Sequence, residues 1–316
     1  MADTDAGLTE LDRARTGDTR AVARLLSLVE DSSPRVRSVI KDLLPGTGRA
    51  RVIGLTGAPG VGKSTVTGAL VGAFRAEGCR VAVLAVDPTS PFSGGALLGD
   101  RIRMQAHATD DQVFIRSMAS RGHLGGLATS TPQAIRVLDA AGFELILIET
   151  VGVGQAEVSI ASLADSVVVL LAPGMGDAIQ AAKAGILEVA DLFVVNKADK
   201  PDSHQVVRDL RNMLALAERK PGAWKPPIIA TVAMNGSGDE GIGELVSDLD
   251  AHRSWLTSTG DLERRRQARA REEITALAYA ELRGRLAASS LDALAARVAE
   301  GTLDPFQAAE ELLARG

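Results

Sequence analysis

Residues 51–65, RVIGLTGAPGVGKST, decide the fold. They begin with an apolar run typical of a buried β-strand, continue in a glycine-rich loop, and end in residues that favour the start of a helix. Gly57, Gly62, Lys63 and Ser64 satisfy the pattern G-x-x-x-x-G-K-[ST] in this setting. The stretch therefore predicts a loop that binds the phosphates of a nucleotide.

Each residue type in this loop has a physical task. Glycines allow a tight turn whose backbone N–H groups point inward, and the helix adds the positive end of its dipole, so phosphate oxygens are held. Lys63 supplies a positive charge to the β- and γ-phosphates. Ser64 offers its hydroxyl to Mg²⁺, which usually takes several of its other ligands from substrate phosphates and water. The remaining positions of the predicted loop are Ala58, Pro59, Gly60 and Val61.

Composition excludes several classes of protein. The 316 residues carry a net charge of −5, and basic residues are interspersed with acidic ones, so no basic stripe indicates binding to nucleic acid. The run Arg264, Arg265 and Arg266 is interpreted as a solvated helix face. The apolar runs are too short to span a bilayer, and the N-terminus is unlike a signal peptide. We therefore expect a cytoplasmic protein that does not bind membranes.

The apolar segments predict an α/β fold of the P-loop NTPase type. Between residues 48 and 257, strands alternate with amphipathic helices, which is typical of a mostly parallel sheet with helices on both faces. In such sheets ligands bind beyond the carboxyl ends of the strands, so the residues that follow each strand are the candidates for chemistry. We predict strands at residues 52–56, 80–86, 113–116, 144–149, 166–171, 192–195 and 228–232.

Helical extensions are predicted at both ends of this domain. Residues 1–47 form an N-terminal helical arm, which Gly17 and Pro34 interrupt. Residues 258–316 form a C-terminal helical region, which either covers the nucleotide-binding domain or forms a homodimer interface, and we favour the homodimer. Its apolar stripes comprise Ile274, Leu277, Ala278 and Leu282, then Leu291, Leu294 and Val298, then Phe306, Ala309, Leu312 and Leu313.

An acidic residue ends the fourth predicted strand. Glu149 lies where a carboxylate that orients Mg²⁺ is expected beside a phosphate-binding loop, and Gly152 offers its N–H to the γ-phosphate. Gln155 either orients the attacking water or forms a local hydrogen bond in a polar loop. The strand end therefore contributes candidates for both metal binding and hydrolysis.

The segment after the second predicted strand contributes two more acids and an arginine. Asp87 and Asp100 either reach Mg²⁺ through water or serve as turn and helix-cap residues. Arg103 either stabilises the charge of a phosphoryl group in the transition state or forms a surface salt bridge.

The tetrapeptide NKAD, at residues 196–199, follows the sixth predicted strand. A carboxylate at Asp199 accepts two hydrogen bonds, from the ring N–H and the exocyclic amine of guanine, whereas adenine presents an amine and an acceptor. Lys197 is able to lie along the base, and Asn196 is able to tie this segment to the phosphate-binding loop. At this place in a P-loop domain, the tetrapeptide predicts GTP rather than ATP as the substrate.

Five segments together resemble one known family. They are GAPGVGKST at residues 57–65, VDPTSPFSGGALLGDRIRM at 86–104, ETVGVGQAE at 149–157, GMGDAIQAAKAG at 174–185 and NKAD at 196–199. This combination resembles the MeaB/ArgK/MMAA family, GTPases that assist methylmalonyl-CoA mutase. The resemblance is specific because the second and third segments are long and are not dictated by nucleotide binding alone.

The resemblance implies a role for each matching residue. It implies that phosphates contact Gly60, Gly62, Lys63, Ser64 and Thr65, and that guanine contacts Asn196, Lys197 and Asp199. It implies that Mg²⁺ is coordinated or oriented by Ser64, Asp87, Asp100 and Glu149. It also marks Arg103 as a candidate activating arginine, and it places an additional switch that contacts the mutase at Gly174, Asp177 and Lys183.

The resemblance further implies partners and a cycle. Members form homodimers through their C-terminal helices, convert GTP to GDP slowly when alone, and do so faster on the mutase. They gate the delivery of adenosylcobalamin and the removal of inactivated cofactor.

Two other functions compete with this one. A kinase that acts on a transport protein or a small molecule has no acceptor pocket or general base that the sequence identifies. A nickel-insertion chaperone shares the nucleotide-binding domain, but such proteins carry cysteine and histidine motifs. Here Cys79 is the single cysteine, which fits a reducing cytosol, and the four histidines are scattered.

Overall fold

A seven-stranded parallel sheet carries the phosphate-binding loop. In the computed structural model the strands are β1 (Arg51–Thr56), β2 (Val81–Pro88), β3 (Val113–Ser120), β4 (Leu145–Thr150), β5 (Ser166–Leu171), β6 (Leu192–Asn196) and β7 (Ile228–Thr231). Their order across the sheet is β3-β2-β4-β1-β5-β6-β7, and every pair is parallel. All seven predicted strands and the predicted fold class are confirmed.

The structure describes most of the chain. The described residues are 10–31, 33, 35–88, 107, 109–120, 130–150, 160–174, 189–216, 222–233, 239–287 and 291–315, except for a few side chains within these ranges.

The central strands are covered on both faces, which explains their continuous apolar sequences. Every residue of β1, β4, β5 and β6 is buried. Neighbouring residues of β1 alternate between two hydrophobic cores, since Val52 belongs to one core and Ile53 and Leu55 belong to the other. The sheet is therefore the middle layer of three.

Helices form the two outer layers on either side of the sheet, and further helices follow in the C-terminal region. Their bounds are α1 (Thr19–Glu30), α2 (Val36–Leu43), α3 (Lys63–Ala76), α4 (Thr131–Ala140), α5 (Ser203–Leu216), α6 (Ile242–Ser258), α7 (Asp261–Ala287), α8 (Leu291–Ala299) and α9 (Pro305–Arg315). Helices α1, α2, α4 and α5 line one core, and α3 and α6 line the other. Within the described residues, no helix combines the length and the hydrophobicity that a transmembrane span requires.

The predicted N-terminal helices pack on the sheet. Asp18 caps α1, because its side chain accepts hydrogen bonds from the backbone N–H groups of Arg20 and Ala21 at 2.9 and 3.1 Å. At the other end of α1, Arg116 of the edge strand β3 pairs with Glu30 and donates to Ser27 Oγ at 3.0 Å. The arm is therefore fixed to the sheet by polar contacts as well as by its apolar face.

The chain divides into two compact units, Met1–Arg266 and Gln267–Gly316. The second unit contains most of α7 together with α8 and α9, and its small core is formed by Leu294, Leu303 and Ala308. The C-terminal region is helical, as predicted. The domain boundaries predicted at residues 47/48 and 257/258 stay predictions.

The interpretation of the arginine run as a solvated face was wrong at two of its three positions. Arg264 is exposed, but Arg265 donates two hydrogen bonds of 2.8 Å to the carboxylate of Asp191. Arg266 in turn donates to Asp165 Oδ2 at 3.0 Å. Both aspartates are buried, so these arginines neutralise charges that would otherwise be buried without a counter-charge of this strength.

Candidate functional site

The phosphate-binding loop connects β1 to α3, and two of its glycines have no room for a side chain. Gly57 has a φ of +145°, and a Cβ added there would lie 2.3 Å from the carbonyl oxygen of Leu170 in β5. Gly62 has a φ of +94° directly before α3, and its added Cβ would lie 2.3 Å from Nδ2 of Asn196. Glycine adopts positive φ without steric cost. The loop therefore depends on glycine at both positions that the motif fixes.

Lys63 begins α3 and turns its ammonium group back to the loop. Its Nζ donates to the carbonyl oxygens of Gly57 at 2.6 Å and Ala58 at 3.0 Å, and the residue is 8% exposed. An ammonium carries three donors and a full charge, so the group is suited to phosphate oxygens at the same place. The structure thus places Lys63 where the sequence predicted a phosphate-binding cation.

Glu149 lies next to this loop, in the strand that pairs with β1. The register places it beside Leu55, two residues before Gly57, and it is 1% exposed. Ser64 Oγ donates to its Oε1 at 2.7 Å, and Thr67 Oγ1 donates to its Oε2 at 3.1 Å. Two of the four predicted Mg²⁺ residues, Ser64 and Glu149, are therefore in direct contact.

The NKAD segment is joined to the phosphate-binding loop by two hydrogen bonds. Asn196 Nδ2 donates to the carbonyl oxygen of Val61 at 2.9 Å, as expected, and Lys197 Nζ donates to that of Gly60 at 2.7 Å. Lys197 has a φ of +59°, the one positive φ of a non-glycine residue within the described ranges. Asp199 is exposed at the same edge of the sheet. The predicted phosphate and base segments are therefore held beside each other.

Two hydroxyl residues that the sequence analysis did not select support this arrangement. Thr67 holds Glu149 from α3, and Thr231, at the end of β7, donates to Asn196 Oδ1 at 3.1 Å. The backbone N–H of Ala233 donates to the same oxygen at 3.3 Å. The spacing of Ser64 and Thr67 was the available signal, because residues three apart lie on one face of a helix.

Several predicted site residues are not tested by the structure. Asp87 lies in β2 beside Ala119 of β3, but its side chain is outside the described part of the chain. Gly174 follows β5 with a φ of +80°. The predictions for Asp100, Arg103, Gly152, Gln155, Asp177 and Lys183 fall outside the described residues.

The residues present fit Mg²⁺. A serine hydroxyl and a buried carboxylate at the loop are hard oxygen donors, and Mg²⁺ commonly uses one or two such protein ligands together with phosphates and water. In the described ranges, no group of three or more histidine, cysteine, aspartate or glutamate residues is arranged to hold a metal ion. Ser64 and Glu149 are the residues that would hold Mg²⁺.

Comparison with known proteins agrees with this geometry. The family model described as "Methylmalonyl Co-A mutase-associated GTPase MeaB" matches residues 22–290. A putative GTPase of Pyrococcus abyssi is 46% identical over 309 residues, which cover 96% of this chain and 94% of that protein. The GTPase ArgK of Escherichia coli is 38% identical over 272 residues, covering 83% of this chain and 81% of its own length.

A solved structure shares the architecture over nearly its whole length. The crystal structure of an LAO/AO transport system kinase superposes with a TM-score of 0.72 at 27% identity, and the match covers 98% of this chain and 97% of the other. The family model spans most of the sequence, and the relatives are named GTPases. The chain therefore belongs to the MeaB family of methylmalonyl-CoA mutase-associated GTPases.

Proposed function

We propose that the chain is a Mg²⁺-dependent GTPase that gates the loading of adenosylcobalamin into methylmalonyl-CoA mutase and protects or reactivates that enzyme. One observation supports the nucleotide assignment above the others. The bond from Asn196 to the carbonyl oxygen of Val61 joins the base-binding segment to the phosphate-binding loop, so one nucleotide is able to reach both. The family match supports the choice of the mutase as partner.

The residues at the loop divide the work of hydrolysis. The loop glycines and Lys63 bind the triphosphate, with the ammonium exchanging the carbonyl oxygens of Gly57 and Ala58 for phosphate oxygens. Ser64 and Glu149 would hold Mg²⁺, which when bound would supply positive charge to the phosphates. We further propose that Gly152 contacts the γ-phosphate, that Gln155 orients the attacking water, and that Arg103 stabilises the transition state. Asp87 and Asp100 are proposed to support the metal through water.

Asp199 is proposed to select guanine. Its carboxylate accepts two hydrogen bonds from the guanine edge, whereas xanthine carries a carbonyl in place of the exocyclic amine. In Asp199→Asn the side-chain amide donates to that carbonyl instead. We expect the ratio of kcat/KM for GTP over xanthosine triphosphate to fall by about 100-fold or more in the variant.

The control for this experiment is Asp202→Asn, three residues further along and also exposed. It should keep the preference of the wild-type protein, because it lies outside the NKAD segment. A ratio that stays the same in Asp199→Asn would contradict the guanine assignment. Phosphate release from both nucleotides is the measurement.

The mutase assignment has its own test. We expect GTP hydrolysis by the purified chain to rise severalfold when methylmalonyl-CoA mutase is added, because a partner that orders catalytic loops raises turnover. Size-exclusion chromatography with a non-hydrolysable GTP analogue should show a complex of the two proteins. No complex and no stimulation would refute the partner and leave the nucleotide assignment standing.

A hydrolysis assay with labelled GTP distinguishes hydrolysis from phosphoryl transfer to an acceptor. With GTP labelled on the γ-phosphate, a GTPase releases the label as inorganic phosphate. A kinase, such as the name of the LAO/AO structure suggests for that protein, would place the label on a protein or a metabolite. We expect free phosphate.

We also propose that a second copy of the chain covers the apolar side chains of the C-terminal unit. Ile274, Tyr279 and Phe306 are 66%, 68% and 85% exposed within one chain, so a small unit leaves three large apolar side chains in contact with water. Sedimentation should show a dimer for the wild type and a monomer for the double variant Tyr279→Ser, Phe306→Ser. The exposed polar change Gln307→Ser serves as the control and should leave the dimer intact.

A further inference from the structure

We infer that Thr67 is a positioning residue that fixes the carboxylate of Glu149 for metal binding, an inference that rests on the proposed function. Thr67 lies in α3, one helical turn after Ser64, and is fully buried. Its Oγ1 lies 3.1 Å from Glu149 Oε2, while Ser64 Oγ lies 2.7 Å from Oε1. One face of α3 therefore presents a hydroxyl to each oxygen of the carboxylate.

The backbone of α3 aims the hydroxyl of Thr67. Its Oγ1 also donates to the carbonyl oxygen of Lys63, four residues earlier, at 2.9 Å. This bond to the preceding turn selects one of the two χ1 rotamers that threonine adopts in a helix. The hydroxyl thus shares its proton between the helix and Glu149, and its position is set by the same turn that carries Lys63.

The two hydroxyls have different tasks once a metal is present. Ser64 is proposed to give a lone pair to Mg²⁺, whereas Thr67 contacts Oε2 and is not among the proposed metal ligands. The last torsion of a glutamate is broad, so a carboxylate turns easily about it unless both oxygens are held. Thr67 therefore fixes the plane of the carboxylate and, through it, the place of Oε1 beside Ser64.

The test compares two substitutions that differ in the hydroxyl. Thr67→Val keeps the branched shape and removes the donor, whereas Thr67→Ser keeps the donor and removes a methyl group. The measurement is the binding of fluorescent GDP at increasing Mg²⁺. Loss of a residue that orients a metal ligand typically weakens metal binding by 10- to 100-fold. We expect the half-saturating Mg²⁺ concentration to rise about 10-fold in Thr67→Val and to change less than about twofold in Thr67→Ser.

Two further readouts distinguish positioning from general damage. In EDTA, GDP affinity should be equal in the wild type and Thr67→Val, because the loop and the NKAD segment are unchanged. Excess Mg²⁺ should restore most of kcat in Thr67→Val. If Thr67→Val folds poorly, Thr67→Ala replaces it and carries the same expectation.

The outcomes are distinct. An unchanged Mg²⁺ dependence in Thr67→Val, or an equal shift in Thr67→Ser, would overturn the positioning role. If GDP binding by the wild type itself were independent of Mg²⁺, the metal in the proposed function would fail first, and this inference would fail with it.

Discussion

The two ends of the parallel strands both bury carboxylates but hold them in different ways. At the carboxyl end, Glu149 accepts hydrogen bonds from the hydroxyls of Ser64 and Thr67. At the amino end, Asp165 and Asp191 are paired with the guanidinium groups of Arg266 and Arg265. The hydroxyls orient the two oxygens of Glu149, whereas the guanidinium groups also bring a full positive charge to Asp165 and Asp191. The first arrangement suits the binding of a cation, and the second suits a permanent structural contact.

At the amino end of the strands, two aspartates make the same kind of contacts. Asp165 directly precedes β5 and accepts the backbone N–H of Val52 in β1 at 3.1 Å. Asp191 directly precedes β6 and accepts the backbone N–H of Val167 in β5 at 2.9 Å. Each carboxylate therefore completes the hydrogen bonds at the start of a neighbouring strand, and its charge is met by an arginine of α7. The contacts at the amino end therefore stabilise the sheet.

Lys63, at the carboxyl end of the strands, should be required for activity and not for folding. In Lys63→Met the apolar stem remains but the charge at the phosphate-binding loop is lost. We expect GTP turnover to fall by about 10³-fold, since the ammonium is proposed to stabilise charge in the transition state, while Tm changes by less than about 4 °C. Lys200→Met, at an exposed lysine near the NKAD segment, is the control and should hydrolyse GTP normally. Normal turnover in Lys63→Met would refute the site.

The second prediction concerns stability at the amino end. Asp191→Asn removes the buried charge that pairs with Arg265 and leaves that half-buried guanidinium with Asp261 as its remaining carboxylate partner. Breaking a buried pair by removing one partner costs about 3 to 5 kcal/mol of unfolding free energy. Because the substituted side chain keeps an amide oxygen, we expect a loss at the lower end of this range, about 3 kcal/mol. Urea unfolding measures the loss, with the exposed Asp111→Asn as the control. The kcat of the folded variant should equal that of the wild type, and a large drop in kcat would contradict the separation of the two ends.

The pH dependence of that stability difference follows from the pKa of Asp191. Burial raises this pKa, but the close contact with His252 and the hydrogen bonds from Arg265 outweigh burial and leave the pKa below the ordinary value of 3.8. An aspartate with a lowered pKa stabilises the fold above its unfolded pKa, and the contribution is lost as the pH falls through the folded pKa.

We therefore expect the advantage of the wild type over Asp191→Asn to be constant above about pH 5 and to shrink below about pH 4. Urea unfolding at a series of pH values measures it. An advantage that persists undiminished at pH 2 would show that the charge of Asp191 is not its source.

The range of the contacts along the chain explains which features of the fold and the site the sequence predicts. The strands and the phosphate-binding loop were predictable, because buried parallel strands read as continuous apolar runs and the loop chemistry demands fixed residue types at short spacing. The NKAD segment was also predictable, because recognition of the base demands fixed residue types at short spacing. These features are local, so a single stretch of sequence contains all the information.

The missed features all depend on contacts between distant parts of the chain. Arg265 and Asp191 are 74 residues apart, and Thr67 and Glu149 are 82 apart. An arginine in a charged helix reads as solvated until the fold brings an aspartate to it. A threonine four residues after the motif lysine likewise reads as ordinary helix until the register of β4 places Glu149 opposite it. The dipeptide Ala-Asp occurs before two buried strands, at residues 164–165 and 190–191. This repeat was the one local signal for the contacts of Asp165 and Asp191.

Thr231 supports Asn196 at the carboxyl end of the strands, and its loss should have a modest effect on nucleotide binding. Thr231→Val removes one of the two donors to Asn196 Oδ1 and leaves the backbone N–H of Ala233. A single hydrogen bond contributes about 1 kcal/mol, which corresponds to about a fivefold change in an equilibrium constant. We expect GDP affinity to fall about fivefold, because Asn196 holds the base-binding segment against the phosphate-binding loop. Isothermal titration calorimetry measures the change.

Thr231→Ser keeps the donor and is the matched control, so its GDP affinity should remain near that of the wild type. Equal weakening in the two variants would mean that the methyl group, and not the hydrogen bond, matters at this position. If Thr231→Val weakened GDP binding without a comparable loss of stability, a hydrogen bond at this end of the sheet would be acting on the ligand. At the other end, the same kind of substitution acts on the fold, because the partners of Asp165 and Asp191 are the second residues of the neighbouring strands and two arginines of α7.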